Sequence, residues 1–203
     1  MRTRKITALA LGVILIFGML MIGCSGGRAL GESSEAGESL PEGAAEEPGS
    51  QGGQLKTFEA KTLDGGTFTQ EDIAAKDVTL INFWATYCGP CVEEMPGLAK
   101  LEKALPESVG LVTVCLDGGM KAESAKQILE DAGFEGLTLT EGDGDLADLV
   151  GELQYTPTTI LVDGDGNLLG EAIIGGRDGG AFAEIINQAL RSMGKTEISY
   201  EEE

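Results

Sequence analysis

The hydrophobic pattern divides the chain into four stretches. Residues 6–23 (ITALALGVILIFGMLMIG) form one uncharged apolar run. Residues 25–53 carry only two large apolar side chains, Leu30 and Leu40. From Gln54 to about Thr196, short apolar runs alternate with apolar residues at helical spacing, and residues 197–203 close the chain as an acidic tail. Within the third stretch, Phe58–Leu63 and Thr67–Thr69 read as short strands around a Gly65-Gly66 turn. Val78–Trp84 (VTLINFW) and Leu111–Leu116 (LVTVCL) are apolar and β-favouring along most of their length, as buried central strands are. Leu137–Thr140 is a further strand. One helix opens near Cys88-Gly89-Pro90, where proline suits the first turn, and continues through LAKLEKAL with a kink expected at Pro96. A second starts at about Ala122, sets Ala125, Ile128, Leu129 and Ala132 on one face, and stops at Gly133. Asp145–Val150 is a short helix. Thr158–Val162 and Leu168–Ile174 flank Asp163-Gly164-Asp165-Gly166-Asn167 as a hairpin. Gly180–Met193 is the closing helix, with Phe182, Ile185, Ile186, Ala189, Leu190 and Met193 in phase. Strands alternating with helices, then a hairpin and a last helix, predict an α/β domain over residues 54–196 with a central mixed sheet flanked by helices.

The two N-terminal stretches concern location. Arg2, Arg4 and Lys5 precede the apolar run and Cys24 follows it at once, the layout of a bacterial signal peptide over residues 1–23. Met21-Ile22-Gly23-Cys24 resembles the lipobox of bacterial lipoproteins, which implies cleavage before Cys24 and lipid attachment to its sulfur. An uncleaved transmembrane helix is the alternative, since 18 residues reach spanning length. Either arrangement keeps the basic end inside and puts the remainder outside the cytoplasm, anchored at the outer face of the cytoplasmic membrane. Residues 24–53 then act as anchor and linker. Their Gly, Ser, Glu, Ala and Pro cannot bury enough surface to offset ordering entropy, so disorder is expected, with a reach of about 30 Å.

The 203 residues carry a net charge of −20 and no histidine. That charge repels phosphate backbones and argues against a nucleic-acid partner. Without histidine, His-dependent triads and the usual zinc sites are excluded.

Beside Cys24 there are three cysteines. Cys88 and Cys91 form C-G-P-C between a predicted strand and a predicted helix. No second pair is present to complete a zinc site, so no metal is expected. A bridge over two intervening residues closes too small a loop to constrain the unfolded chain much, which favours redox cycling over a static link. Unpaired N–H groups and the macrodipole at the helix start favour negative charge, making Cys88 the more acidic and exposed thiol. It attacks a substrate disulfide; Cys91, one turn inside, resolves the mixed disulfide. Cys115, in a predicted central strand, reads as a small buried hydrophobe, with an auxiliary thiol as the alternative.

Phe83-Trp84-Ala85-Thr86-Tyr87-Cys88-Gly89-Pro90-Cys91, followed by Glu93-Glu94-Met95-Pro96, resembles the active-site stretch of the thioredoxin superfamily and, more narrowly, of the exported TlpA/ResA-like reductases. Tyr155-Thr156-Pro157-Thr158-Thr159 resembles the distal partner of that motif. The resemblance spans roughly residues 55–195 and implies a thioredoxin-like fold, a cis Thr156–Pro157 bond beside the cysteine pair, and a substrate-facing surround of Trp84, Tyr87, Gly89, Pro90 and Thr156. It implies no cofactor beyond the cysteine pair. Asn82 stands where ordinary thioredoxins carry a buried Asp, and Glu94 matches the Glu that this branch places six residues after the first cysteine. Its implied role is proton exchange with Cys91; a plain helix-surface glutamate is the bland alternative. The resemblance further implies electrons from a CcdA/DsbD-type membrane donor and disulfide-containing protein substrates, such as apocytochrome c or oxidised methionine sulfoxide reductase. A thiol peroxidase, or a binding lipoprotein with a static Cys88–Cys91 bridge, are the rival functions.

Two other motifs carry less. Gly142-Asp143-Gly144-Asp145 faintly resembles a dinucleotide loop, but two aspartates would repel a pyrophosphate. Asp163, Asp165 and Asn167 open like a calcium loop, yet Leu168 and Ile174 stand where that loop needs Gly and Glu.

Overall fold

The computed structural model describes residues 53–201. The expected signal peptide over residues 1–23, Cys24 and nearly all of the expected 24–53 linker lie outside the described residues. Among the described residues no helix is long and apolar enough to cross a membrane.

The elements follow in the order β1 (Glu59–Thr62), β2 (Thr67–Thr69), α1 (Gln70–Ala74), β3 (Val78–Trp84), α2 (Gly89–Ala104), β4 (Val109–Cys115), α3 (Gly118–Ala132), β5 (Leu137–Gly142), α4 (Gly144–Glu152), β6 (Thr158–Asp163), β7 (Ile173–Ile174) and α5 (Gly179–Ser192). The strands form one seven-stranded sheet in the order β2-β1-β5-β4-β3-β6-β7. β3, β4 and β5 run parallel, while β6 pairs antiparallel to β3 and β1 antiparallel to β5. The expected mixed sheet is thus present.

Period-two alternation along the central strands divides the core. Val78, Leu80 and Trp84 of β3, with Leu111 and Cys115 of β4, join Met95, Leu98, Ala125, Phe182 and Ile186 from α2, α3 and α5. Ile81, Phe83, Val112 and Val114 face the opposite layer, with Ile73 of α1 and Leu146 of α4. The same alternation sends Asn82 to the α2 side.

Several boundaries differ from expectation. α1 escapes a periodicity reading because it is five residues long; a capping box between Thr69 and Asp72 starts it. α3 opens at Gly118, ahead of the expected Ala122, but Lys121 is non-helical (φ −123°, ψ 34°), so the regular helix begins just after it. α2 continues past Pro96 to Ala104. The expected Leu168–Ile174 strand is reduced to a bridge at Leu168 and to β7. Gly170, at φ 76°, turns the chain out of the extended conformation between them.

Asp143 and Asp145 serve structure. Asp145 accepts from the N–H groups of Lys56 and Thr57 at 2.8 Å each, and Asp143 accepts from Glu59 N–H at 2.7 Å. Within the acidic tail, Ile198 is buried and exchanges two hydrogen bonds with the Asn187 side chain. Residues 197–201 therefore follow α5.

Candidate active site

β3 is buried along its whole length and delivers the chain to the C-terminal end of the parallel strands. Ala85 is buried, Thr86 half-buried and Tyr87 79% exposed, so the loop climbs from core to surface within three residues. Cys88 then caps α2: its backbone is extended (φ −90°, ψ 99°), and its carbonyl accepts from the N–H groups of Cys91 and Val92 at 3.1 Å each. Pro90 occupies the first turn, where a missing N–H costs nothing.

Cys88 and Cys91 are joined as a disulfide with Cα atoms 5.3 Å apart. Cys88 retains 7% of its surface and Cys91 none. Cys91 N–H also points at Cys88 Sγ, 3.3 Å away. In the reduced protein such a donor favours the Cys88 thiolate. Gly89 and Pro90 are exposed beside the bridge.

Glu94 lies three residues after Cys91, on the same helix face, and is buried. The surface-glutamate reading therefore fails. Asn82 Nδ2 donates to Glu94 Oε1 at 2.9 Å and to Thr159 Oγ1 at 3.0 Å. Arg177 N–H donates to Glu94 Oε2 at 3.0 Å. Burial raises the Glu94 pKa above its ordinary value; the Asn82 and Arg177 hydrogen bonds and the Arg177 charge pull the other way but do not cancel it.

The Thr156–Pro157 bond is cis. The β3–β6 register, with Phe83 opposite Thr158, sets Pro157 level with Trp84, at the edge from which the cysteine loop departs. Pro157 is buried and Thr156 half-buried. Gly175 N–H donates to the Pro157 carbonyl at 2.8 Å. Residues 175–177 thus link Pro157 to Glu94. A Cβ on Gly176 would come within 3.3 Å of Glu94 Oε2 and 3.5 Å of the Pro90 carbonyl, so this loop crosses close over the start of α2.

One expected surface residue is misplaced. The family resemblance places Trp84 in the substrate-facing surround, but it is completely buried in the same cluster as Cys88 and Cys91. Alternation along β3 aims it at the core, so it supports the pair from below and a docked protein cannot touch it. The exposed aromatics at this end are Tyr87 and Tyr155, the latter 61% exposed and just before the cis-proline loop. Arg177 and Thr159 belong to the Glu94 network, and the residue patterns did not single them out for it. Their partners are 83 and 77 residues away in sequence, and no local pattern signals a contact of that span.

Cys115 is fully buried, as expected of a small hydrophobe. Burial pushes its thiol up to about 12, helped by the hydrogen bond to Asp117 and by that residue's charge. Among the described residues no group of three or more Cys, Asp or Glu side chains is placed to hold a metal ion.

Residues 35–175 match the family model described as Redoxin. The chain is 36% identical to the thioredoxin-like protein YneN of Bacillus subtilis, over 57% of this chain and 67% of that protein. It is 31% identical to the thiol-disulfide oxidoreductase ResA of Bacillus anthracis, over 61% and 69%. The structure of MTB DsbF superposes with a TM-score of 0.56 at 25% identity, covering 66% of this chain and 96% of that one. Taken with the Cys88–Cys91 pair at the mouth of α2, these matches show that the chain belongs to the Redoxin family, as a ResA-like, thioredoxin-fold thiol–disulfide oxidoreductase.

Proposed function

We propose that this protein is a lipid-anchored, extracytoplasmic reductase of protein disulfides. The observation that carries the reading is the asymmetry of the pair: Cys88 keeps 7% of its surface at a helix start, while Cys91 keeps none and Glu94 is buried three residues further along the same helix. The Cys88 thiolate attacks one sulfur of a substrate disulfide, forming a mixed disulfide and expelling the other sulfur as a thiolate. Cys91 passes its proton to Glu94 and attacks Cys88 Sγ. The Cys88–Cys91 bond forms, the second substrate thiol leaves, and two electrons have moved to the substrate. Glu94 suits this step because burial holds its pKa above the ordinary range, nearer that of the thiol it serves. A CcdA/DsbD-type membrane donor returns two electrons, and the pair itself is the redox carrier. Disulfide-bonded apocytochrome c and oxidised methionine sulfoxide reductase are the substrates this reading favours, and lipidated Cys24 holds the domain at the membrane.

The test is reduction of insulin disulfides together with substrate trapping. The full chain should turn over with dithiothreitol as reductant, and Cys88→Ser should abolish turnover. Cys91→Ala should accumulate mixed disulfides in membrane preparations. Turnover that survives Cys88→Ser would contradict the reading, and absence of turnover in the unaltered chain would favour a static bridge.

A further inference from the structure

Asp117 stands at the N-cap of α3, where an aspartate ordinarily accepts from its own helix. Here its side chain makes no such bond. The backbone does the capping work, its carbonyl accepting from Met120 and Lys121 N–H at 3.0 and 2.9 Å. The carboxylate turns away and receives both donors of Thr86: the N–H at 2.9 Å on Oδ1 and the hydroxyl on Oδ2. Cys115 Sγ, 3.4 Å away, donates to Oδ1 as well. Thr86 sits two residues before Cys88, in the loop that climbs from β3 to the disulfide. A side-chain helix cap is thus forgone for two charge-assisted hydrogen bonds, the stronger kind, to the segment that presents the reactive sulfur. Burial pulls the Asp117 carboxyl upward, but the bonds from Thr86 and Cys115 outweigh it and keep it below its ordinary value.

We propose that Asp117 is a positioning residue for thiol exchange: it ties the Ala85–Tyr87 loop to the end of β4 and so fixes the direction in which Cys88 Sγ meets a substrate disulfide. Exchange requires three sulfurs in line, and small misplacements of a reacting atom are costly in rate. Neighbouring contacts lock the rest of the setting. Leu116 N–H donates to the Trp84 carbonyl at 2.8 Å, and Cys88 N–H to the Ala85 carbonyl at 3.0 Å. Between those two points the side of Thr86 is held by Asp117. The inference rests on Cys88 being the attacking thiol.

The experiment measures insulin reduction by the full chain carrying Asp117→Ala, Asp117→Asn, Thr86→Val, or Asp117→Ala with Thr86→Val, beside thermal melts of each. Asp117→Ala should slow exchange by about tenfold or more. Asp117→Asn retains an oxygen to accept from Thr86 N–H, and it should return the rate to within about threefold of the unaltered chain. Thr86→Val alone should slow exchange by about threefold or more. In the Asp117→Ala background it should add less than about twofold, since its partner is already gone. A folded Asp117→Ala variant within about twofold of the unaltered rate would overturn the proposal, as would Thr86→Val multiplying its full effect onto Asp117→Ala. Should Asp117→Ala not fold, Thr86→Val decides alone, and an unchanged rate overturns it. Failure of the underlying assignment reads differently, since turnover would then persist in Cys88→Ser whatever stands at 117.

Discussion

Glu94 is a buried carboxyl three residues along α2 from Cys91. It takes hydrogen bonds from Asn82 and Arg177 and has its pKa raised by burial. A carboxyl whose folded pKa exceeds its unfolded one binds its proton more tightly in the native state. Its contribution to stability is therefore fully present below about pH 4.3, the ordinary glutamate value, and is lost as pH rises through the folded pKa. Glu94→Gln should accordingly raise the melting temperature at neutral pH relative to its effect at pH 4, partly offset because one of the two donors loses its acceptor. The same substitution should slow exchange and change its pH profile. An unchanged profile would remove Glu94 from the proton step. The three thiols of the domain should separate by reactivity: on reduction, alkylation should label Cys88 first, Cys91 more slowly, and Cys115 hardly at all without denaturant. Cys115 has no exposed surface and its thiol is pushed up to about 12. Labelling of Cys115 at the Cys88 rate would contradict that ranking.

At the scale of elements, the site depends on how closely α2 approaches α5. A Cβ on Gly97 would stand 3.0 Å from Gly179 N, a backbone atom that cannot swing aside. Gly97→Ala should therefore cost about 1–3 kcal/mol of stability, measured by denaturant unfolding, while leaving the order of thiol reactivity unchanged. The central elements were legible because their patterns are long and strong: VTLINFW and LVTVCL span β3 and most of β4, and the closing helix is amphipathic. C-G-P-C after a strand located the pair, and the family resemblance supplied Pro157 and Glu94. What escaped was short or non-local. α1 has one buried residue, Ile73, and so no period to detect. The bonds from Arg177 to Glu94 and from Thr86 to Asp117 join segments distant in sequence, and only the packed sheet brings them together. Trp84 was misread for the opposite reason. The family resemblance places it in the substrate-facing surround, whereas strand alternation buries it completely and the helix start leaves Cys88 a residual 7% of its surface.

For the whole molecule, the proposed reading requires the redox domain to be held at a membrane through Cys24. Gly144 shows how the segment leading into β1 packs against the start of α4: its φ of 52° suits glycine, and a Cβ there would overlap the Thr57 carbonyl. Mass spectrometry of the membrane fraction should find a mature chain beginning at lipid-modified Cys24; an N-terminus at residue 1 would mean an uncleaved anchor. The central claim is that Cys88 and Cys91 donate electrons. The Gly89-Pro90 dipeptide places no cation between the cysteines, and the Glu94 carboxylate opposes thiolate formation at Cys91, so the dithiol is not strongly stabilised. The most direct measurement is a redox titration of the pair against glutathione. A reductase should show a potential near that of reducing thioredoxins, about −270 mV, whereas a value near the roughly −120 mV of strong oxidants would contradict electron donation by the pair.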